Sequence, residues 1–221
     1  MDQSGRTLVI ETASEACSIA LFEGEELVAR DHRVLGRGHA ERLIPMIEAL
    51  PDNGRADTIL TSLGPGSFTG VRIGIAAARA LGVAWGSQVR GYATLSLIAA
   101  MARNHGTEDS ATHGNAVTVC VNGGHGEWFV QDFGSDGLAQ SDAVSLSPHD
   151  AAARENHRHI AGNRAEELAQ QIADPVTRAL SLLPDASQAM LLPQACLTDD
   201  LSPIYGRAPD AKPQAKGGLT G

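Results

Sequence analysis

Two short segments of this sequence carry residues that could bind a phosphate group. The first is residues 61–74, TSLGPGSFTGVRIG, in which an apolar strand is predicted to run through a Gly-Pro-Gly turn into a helix. Ser67 and Thr69 place hydroxyl groups where that helix begins. Glycine permits close approach of a ligand, and the N–H groups and dipole of a helix start attract anions. The pattern fits equally a strand-to-helix turn with a hydroxyl N-cap, so both interpretations stay open here.

The second segment is the polar turn at residues 11–16, ETASEA, between two predicted strands. One hypothesis joins the two segments as the paired phosphate loops of a small ATP-dependent phosphotransferase of the acetate-kinase type, with Glu11 holding Mg²⁺. The alternative is that Glu11 is a strand-end carboxylate that accepts hydrogen bonds from local amides. The residues predicted to form such a phosphate site are Glu11, Thr12, Ser14, Gly64, Gly66, Ser67, Thr69 and Gly70.

The sequence does not indicate a metal site or a nucleophile. It has no HExxH motif and no Ser/His/Asp arrangement, and its eight histidines do not recur at a metal-ligand spacing. The three cysteines, Cys17, Cys120 and Cys196, are widely spaced and fit a reducing compartment. We therefore predict no metal, no catalytic residue and no tightly bound cofactor.

The charge balance limits the ligands that this chain binds directly. Seventeen basic and 26 acidic residues give a net charge of −9, which argues against the chain alone binding a nucleic-acid backbone. The N-terminus lacks the pattern of a signal peptide, and no apolar run reaches the length of a membrane span. We predict a cytoplasmic protein without membrane contact.

The order of elements predicted for residues 1–104 is βββαβαβα, a three-strand meander followed by helices that alternate with parallel strands. This order matches one half of the actin-like and ribonuclease-H-like (ASKHA) folds. The polar residues 105–115 predict a lobe boundary. We therefore predict an α/β fold with two lobes, of which the first is residues 1–104.

The second lobe is predicted at residues 115–205, where strand, glycine turn and strand recur but the helices are weaker. Those helices are predicted near 148–157, 164–173 and 187–198. Residues 206–221 are rich in Gly, Pro, Ala and Lys and are predicted to be a flexible tail. We therefore predict a second actin-like lobe that is reduced in size.

The helix predicted at residues 71–85 is apolar or small around most of its circumference. Its only charges, Arg72 and Arg79, are seven residues apart and share one face. A helix on a sheet needs a single apolar stripe, so the wider arc predicts a protein partner, with a fully buried central helix as the alternative. Enlarging Ala78 or Ala80 is predicted to overpack that contact. With the preceding helix, the predicted interface residues are Leu43, Ile47, Arg72, Ile75, Ala76, Arg79, Ala80 and Val83.

Three segments together resemble the TsaB (YeaZ) family: IETASEACSIAL at 10–21, HAERLIPMI at 39–47 and GPGSFTGVRIG at 64–74. A fainter similarity follows at 203–207, PIYGR. The resemblance implies an actin-like fold and a non-catalytic subunit of the bacterial complex that forms N6-threonylcarbamoyladenosine at position 37 of tRNA. In that role the subunit dimerises with the catalytic subunit TsaD and activates it.

The same resemblance implies further partners. They are a TsaE-like ATPase and tRNA, which is reached only through the complex. Independently of the resemblance, the same helix face predicts a symmetric homodimer when the partner is absent. ATP or ADP is implied only at the interface with these partners.

The sequence departs from the family pattern in the two loops. The first strand of the family usually ends in Asp-Thr, where this chain has Glu11 and Thr12. At 122–128, NGGHGEW, the acid and the arginine of a common Asp-Ala-Arg element are absent. The related TsaD proteins carry a His-x-x-x-His metal pair after the long helix, whereas residues 89–96, VRGYATLS, contain no histidine.

Overall fold

The first β-sheet is built mainly from the N-terminal half of the chain. The computed structural model describes residues 5–105 and 115–206. The first five strands are β1 (Arg6–Glu11), β2 (Ala16–Glu23), β3 (Glu26–Val34), β4 (Thr58–Ser62) and β5 (Gln88–Tyr92). They lie in the order β5-β4-β1-β2-β3, with β1, β2 and β3 antiparallel and β1, β4 and β5 parallel. This is the order of one half of an actin-like fold, so the predicted fold class is confirmed.

The second sheet repeats the topology of the first. Its strands are β6 (Val117–Gly124), β7 (Glu127–Phe133), β8 (Val144–Leu146), β9 (His159–Ala161) and β10 (Arg178–Leu180). Their order is β10-β9-β6-β7-β8, again with an antiparallel meander and two parallel additions. Strands β8, β9 and β10 have only three residues each, which accounts for the reduced size of this half.

The chain returns to the first sheet after the second is complete. A final strand, β11 (Leu197–Thr198), pairs antiparallel with β5, where Leu197 lies opposite Tyr92. The sequence analysis assigned residues 115–205 to the second lobe and predicted a helix at 187–198. Instead, this region forms short 3-10 turns at Ala186–Leu191 and Gln194–Cys196 and then β11. The helix prediction was wrong because the segment packs its apolar residues on the first sheet.

Five helices connect the strands of the described residues. They are α1 (His39–Glu48), α2 (Phe68–Trp85), α3 (Thr94–Asn104), α4 (Pro148–Ala153) and α5 (Ala165–Ile172). Pro45 lies inside α1. In the described ranges, no helix has the length and apolar character needed to cross a membrane. The predicted tail, 206–221, lies outside the described residues except for Gly206.

Helix α3 lies between the two sheets and is buried along its first seven residues. Leu97 packs with Val9 and Leu60 against the first sheet, whereas Leu95 and Ile98 pack against the second sheet. Because one helix supplies side chains to both cores, the two halves share apolar packing rather than a simple linker.

Candidate functional site

A cleft of about 180 Å³ lies between the two halves. From the first half it is lined by residues that follow β1 and β4, among them Ser14, Glu15 and Ser67. From the second half it is lined by Asn122 near the end of β6 and Asn163 after β9. The carboxyl ends of parallel strands are where α/β folds usually place their ligands, so the cleft is the first candidate site.

The glycine turn fits tightly against the turn that follows β1. A Cβ atom added to Gly66 would overlap the carbonyl oxygen of Ala13, and one added to Gly70 would overlap that of Thr12. Ser67 N donates to Ala13 O at 2.7 Å, and Thr12 Oγ1 donates to Gly70 O at 2.8 Å. The glycines thus permit close approach of this chain's own backbone, which supports the structural interpretation of the motif.

Ser67 is the N-cap of α2, as the interpretation of this segment as a strand-to-helix turn predicted. Its Oγ accepts a hydrogen bond from Gly70 N at 3.2 Å. The preceding turn contains a cis peptide bond between Gly64 and Pro65, and Gly64 has a φ of 87°. The turn is fixed further because Gly64 O accepts from Thr94 N at 2.8 Å.

Only some of the residues predicted to bind phosphate reach the cleft. Ser14, Gly66 and Ser67 line it, whereas Glu11, Thr12, Gly64 and Gly70 are buried behind it and Thr69 is exposed on α2. Among the described residues that line the cleft, Glu15 alone has a formal charge, and it is negative. A nucleotide held by this chain alone would therefore lack the basic side chains that commonly neutralise phosphates. Nucleotide binding at an interface with partners stays a prediction.

Glu11 is fully buried at the end of β1. Its Oε1 accepts from Ala13 N at 2.7 Å, and its Oε2 accepts from the Tyr92 hydroxyl at 3.3 Å. Burial raises the pKa of Glu11 from 4.5 to about 7, against the opposing effect of the hydrogen bonds that it accepts. This placement fits a carboxylate that binds local groups, and the role of Mg²⁺ ligand has no support from it.

The raised pKa of Glu11 predicts a pH-dependent stability. Between pH 4.5 and about 7, the unfolded chain has lost a proton that the folded chain retains. The free energy of unfolding should therefore fall as the pH rises through this interval, by on the order of 3 kcal/mol. Glu11→Gln should remove this contribution, since its amide can accept from Ala13 N and donate to Tyr92. Urea unfolding of both proteins between about pH 5 and pH 8 checks this, and parallel stability profiles would contradict it.

A polar contact joins the two halves across the cleft. Asn163 Nδ2 donates to both carboxylate oxygens of Glu15, at 2.9 and 3.0 Å. Asn163 Oδ1 accepts from Asn122 N at 2.9 Å. Sequence reasoning missed Asn163. The signal available in the sequence was the Gly162-Asn163 pair, which is typical of a turn; in the structure Gly162 has a φ of 119°.

The outer face of α2 is the second candidate site. Arg72, Ala76, Arg79, Ala80 and Val83 are all exposed, and Val83 is 87% exposed. These five residues are here called the α2 face. Most of the predicted interface thus lies on one accessible surface, and its role in binding stays a prediction.

Three residues of the predicted interface are instead part of this chain's own core. Leu43 and Ile47 of α1 pack under the first sheet, and Ile75 of α2 packs with Leu63 and Val71. They are 1, 2 and 5% exposed, respectively, so a partner cannot contact them without unfolding. Ala78, at 0% exposed, is also internal. The prediction for Ile75 was wrong because α2 is small or apolar on both its faces. The prediction for Leu43 and Ile47 was wrong because α1 packs its apolar side on this chain's own core.

The two arginines of the α2 face bind the C-terminal segment. Arg72 donates to the Tyr205 hydroxyl at 3.0 Å, and its guanidinium lies 3.6 Å from the centre of the Phe68 ring. Arg79 donates to Leu201 O at 3.3 Å. The segment that carries the faint family similarity therefore lies along one border of the α2 face.

The family comparison agrees with this geometry. A family model described as "TsaD: tRNA N6-adenosine threonylcarbamoyltransferase" matches residues 33–192. The structure of "YeaZ from Pseudomonas aeruginosa" aligns with a TM-score of 0.68 and 25% identity, covering 86% of this chain and 90% of that one. The "tRNA threonylcarbamoyladenosine biosynthesis protein TsaB" of Escherichia coli (strain K12) is 39% identical over 99 residues. The chain belongs to the TsaD family, in its TsaB (YeaZ) branch.

The curated relatives are matched over only part of their length. The alignment covers 42% of this chain and 42% of the E. coli protein. For the protein of the same name from Haemophilus influenzae (strain ATCC 51907 / DSM 11121 / KW20 / Rd), 39% identity extends over 37% of this chain and 36% of the relative. The chain therefore spans less than half of these relatives.

The metal pair of the TsaD proteins has no counterpart in the described residues. β5 and the start of α3 occupy the corresponding stretch, which contains no histidine. In residues 5–105 and 115–206, no three His, Cys, Asp or Glu side chains are grouped so that they could hold a metal ion.

Proposed function

We propose that this chain takes part in forming N6-threonylcarbamoyladenosine at position 37 of tRNA. It would act as the non-catalytic subunit that dimerises with a TsaD-like catalytic subunit and activates it. Two relatives bear the name of this pathway, and the family model carries the name of the transferase. The single observation that carries the proposal is the exposed α2 face.

The α2 face has the properties of a helix-packing surface. Ala76 and Ala80 are small and exposed, so a second helix could approach the backbone of α2 closely. Val83 adds an apolar side chain that is 87% exposed, and Ile44 of the neighbouring α1 is 40% exposed. A partner helix with a similarly small and apolar face would bury these residues, with Arg72 and Arg79 at the rim.

The proposal of a non-catalytic subunit is supported by the contacts of the polar groups that sequence analysis considered for catalysis. Glu11 is bound by Ala13 and Tyr92, and the glycine turn packs on the backbone of Thr12 and Ala13. Glu15 is bound by Asn163. Glu11 and the glycine turn, which the sequence analysis considered for phosphotransfer, therefore have structural partners within the chain. A TsaE-like ATPase, tRNA contact through the complex and a homodimer through the α2 face are parts of the same proposal.

Reconstitution tests this function. The full chain, a TsaD-like subunit, a TsaE-like ATPase, ATP and an unmodified tRNA are combined with a source of threonylcarbamoyl-adenylate, and modified adenosine is measured by mass spectrometry. Modification should depend on this chain, and the chain without TsaD should yield none. Equal modification when the chain is omitted, or transfer by the chain alone, would contradict the proposal.

A further inference from the structure

A second cavity, of about 160 Å³, lies against the second sheet. It is lined by His159 and Arg178, which are the first residues of β9 and β10, and by Val117, which is the first residue of β6. These three residues are aligned in register on neighbouring parallel strands. His105, which follows α3, also lines this cavity. This space is called the basic cavity below.

The basic cavity is separate from the interlobe cleft. The cleft is lined by Asn122 near the carboxyl end of β6 and by Asn163 after β9, whereas the basic cavity extends along β9 and β10 from His159 and Arg178 at their amino ends. Among the described residues, none lines both spaces. The usual ligand position of such sheets is the carboxyl end, so a ligand in the basic cavity would be an additional one.

The lining of the basic cavity is positive in an acidic chain. Although the chain has a net charge of −9, the residues that line the cavity within 5–105 and 115–206 include two arginines and two histidines but no Asp or Glu. The guanidinium of Arg103 is engaged, because it donates to Ser135 O. No carboxylate forms an ion pair with Arg178 among residues 5–105 and 115–206. Arg178 is thus an exposed cation available to a ligand.

The surroundings of His159 show the same excess of positive charge. Burial lowers the pKa of His159, and the positive charges of Arg178 and His157 lower it further. Asn115 Nδ2 lies 3.3 Å from His159 Nε2. An anion in the cavity would lie near Arg178 and would favour the charged form of His159.

We propose that the basic cavity binds a phosphate group, held by Arg178 and His159 with His105 beside them. The volume suits a small oxyanion better than a drug-sized organic ligand, and an arginine fork matches the oxygens of phosphate. The phosphate could be a free anion or a phosphodiester of RNA. The RNA source rests on the proposed function, whereas binding of the free anion does not.

The test uses inorganic phosphate and the full chain without any partner. Histidine ring signals are followed by NMR against pH at constant ionic strength, in phosphate and in chloride, and His159→Gln assigns the signal of His159. Phosphate should raise the pKa of His159 by about one unit relative to chloride. Arg178→Gln should weaken this response at least about tenfold in phosphate concentration, a loss of about 1.4 kcal/mol in binding.

The matched control is Arg158→Gln, because Arg158 is exposed next to His159 in sequence but does not line the cavity. It should leave the phosphate response unchanged. Absence of a phosphate response at His159, or equal responses of the Arg178 and Arg158 variants, would overturn the proposal. These outcomes are independent of TsaD binding, which concerns the α2 face.

A second measurement identifies the source of the phosphate. The complex with a TsaD-like subunit is titrated with a tRNA transcript at several salt concentrations, using wild type, Arg178→Gln and Arg158→Gln. Weaker tRNA binding and a smaller salt slope for Arg178→Gln alone would support an RNA phosphodiester. If tRNA binding is unchanged while His159 responds to inorganic phosphate, the site is supported and its ligand is a free phosphate-bearing anion.

Discussion

Replacing Gly70 with alanine is expected to lower the free energy of unfolding by about 3 kcal/mol or more. Gly70 is the third residue of α2, and a Cβ atom there would overlap the carbonyl oxygen of Thr12. That oxygen belongs to the backbone between β1 and β2, so it cannot move without displacing the turn after β1. Chemical denaturation of the purified variants measures the loss.

Helix propensity predicts the opposite sign for the same variant. Alanine is more favourable than glycine inside a helix by about 1 kcal/mol. If helix propensity alone determined the free energy of unfolding, Gly70→Ala would therefore stabilise the protein. A variant as stable as wild type, or more stable, would therefore contradict the close packing of α2 on the β1–β2 turn. A variant that yields no folded protein, while the controls fold, would count as the expected loss.

Two other glycines provide matched controls. A Cβ atom on Gly74 would meet a side-chain atom, Thr12 Oγ1, at a longer distance than the Cβ of Gly70 would have from the backbone oxygen, so Gly74→Ala should cost less than Gly70→Ala. Gly86 has a φ of 72° and nothing within 4 Å of its added Cβ. Gly86→Ala should therefore cost only the strain of a left-handed backbone, about 1–2 kcal/mol. Equal losses at all three positions would indicate a general effect of alanine instead of a specific overlap.

The regular elements of the first sheet could be predicted because their patterns are local. β1 and β2 consist largely of buried apolar residues and are separated by a short polar turn. The strand-to-helix turn at Gly64–Ser67 combines glycine, proline and a hydroxyl N-cap, which act over a few residues. Such signals specify an element without knowledge of its distant neighbours.

The short strands of the second half could not be predicted in this way. β9 and β10 have three residues each, too few for a period to be visible. β11 exists because Leu197 pairs with Tyr92, a partner more than a hundred residues away in the chain. The apolar segment 187–198 is compatible with a helix when its sequence is considered alone. In the structure its last residues pair with the edge strand β5 of the first sheet instead.

The division of α2 into an inner and an outer face was also hidden from the sequence. Small residues occur on both faces: Gly74 and Ala78 point inward, whereas Ala76 and Ala80 are exposed. A pattern of small residues indicates that another segment packs closely on the helix, but it does not show whether that segment belongs to the same chain or to a partner. On the inner face that neighbour is the chain itself, since Gly74 packs on Thr12.

The contact between Glu15 and Asn163 across the cleft could not be predicted from the sequence either. The two residues are separated by 148 positions, and neither lies in a motif that names the other. The interpretation of Glu11 as a carboxylate that accepts hydrogen bonds from local amides agrees with the structure, because a carboxylate at the end of a buried strand has few local partners. The structure supplies what the sequence could not, which is Tyr92 as the second partner of Glu11.

Replacing Ala80 with tryptophan is expected to weaken binding of a TsaD-like subunit at least about 100-fold, equivalent to about 2.7 kcal/mol. Ala80 is exposed on the α2 face, so the larger side chain should leave the fold intact and hold a partner helix away. Titration calorimetry with the TsaD-like subunit measures the affinity, and the thermal unfolding midpoint reports the fold. The same variant should weaken self-association in sedimentation experiments.

Two further tryptophan variants separate a specific interface from a general effect. Ala153→Trp enlarges an exposed helical alanine at the end of α4 in the second half and should bind like wild type. Ala78→Trp enlarges a fully buried residue of the first core and should lose the fold itself. Ala78 and Ala80 are two residues apart on one helix, so opposite effects on folding and binding would assign the inner face to this chain and the outer face to its partner. If Ala80→Trp folds, binds TsaD with full affinity and supports full tRNA modification, the partner contacts another surface.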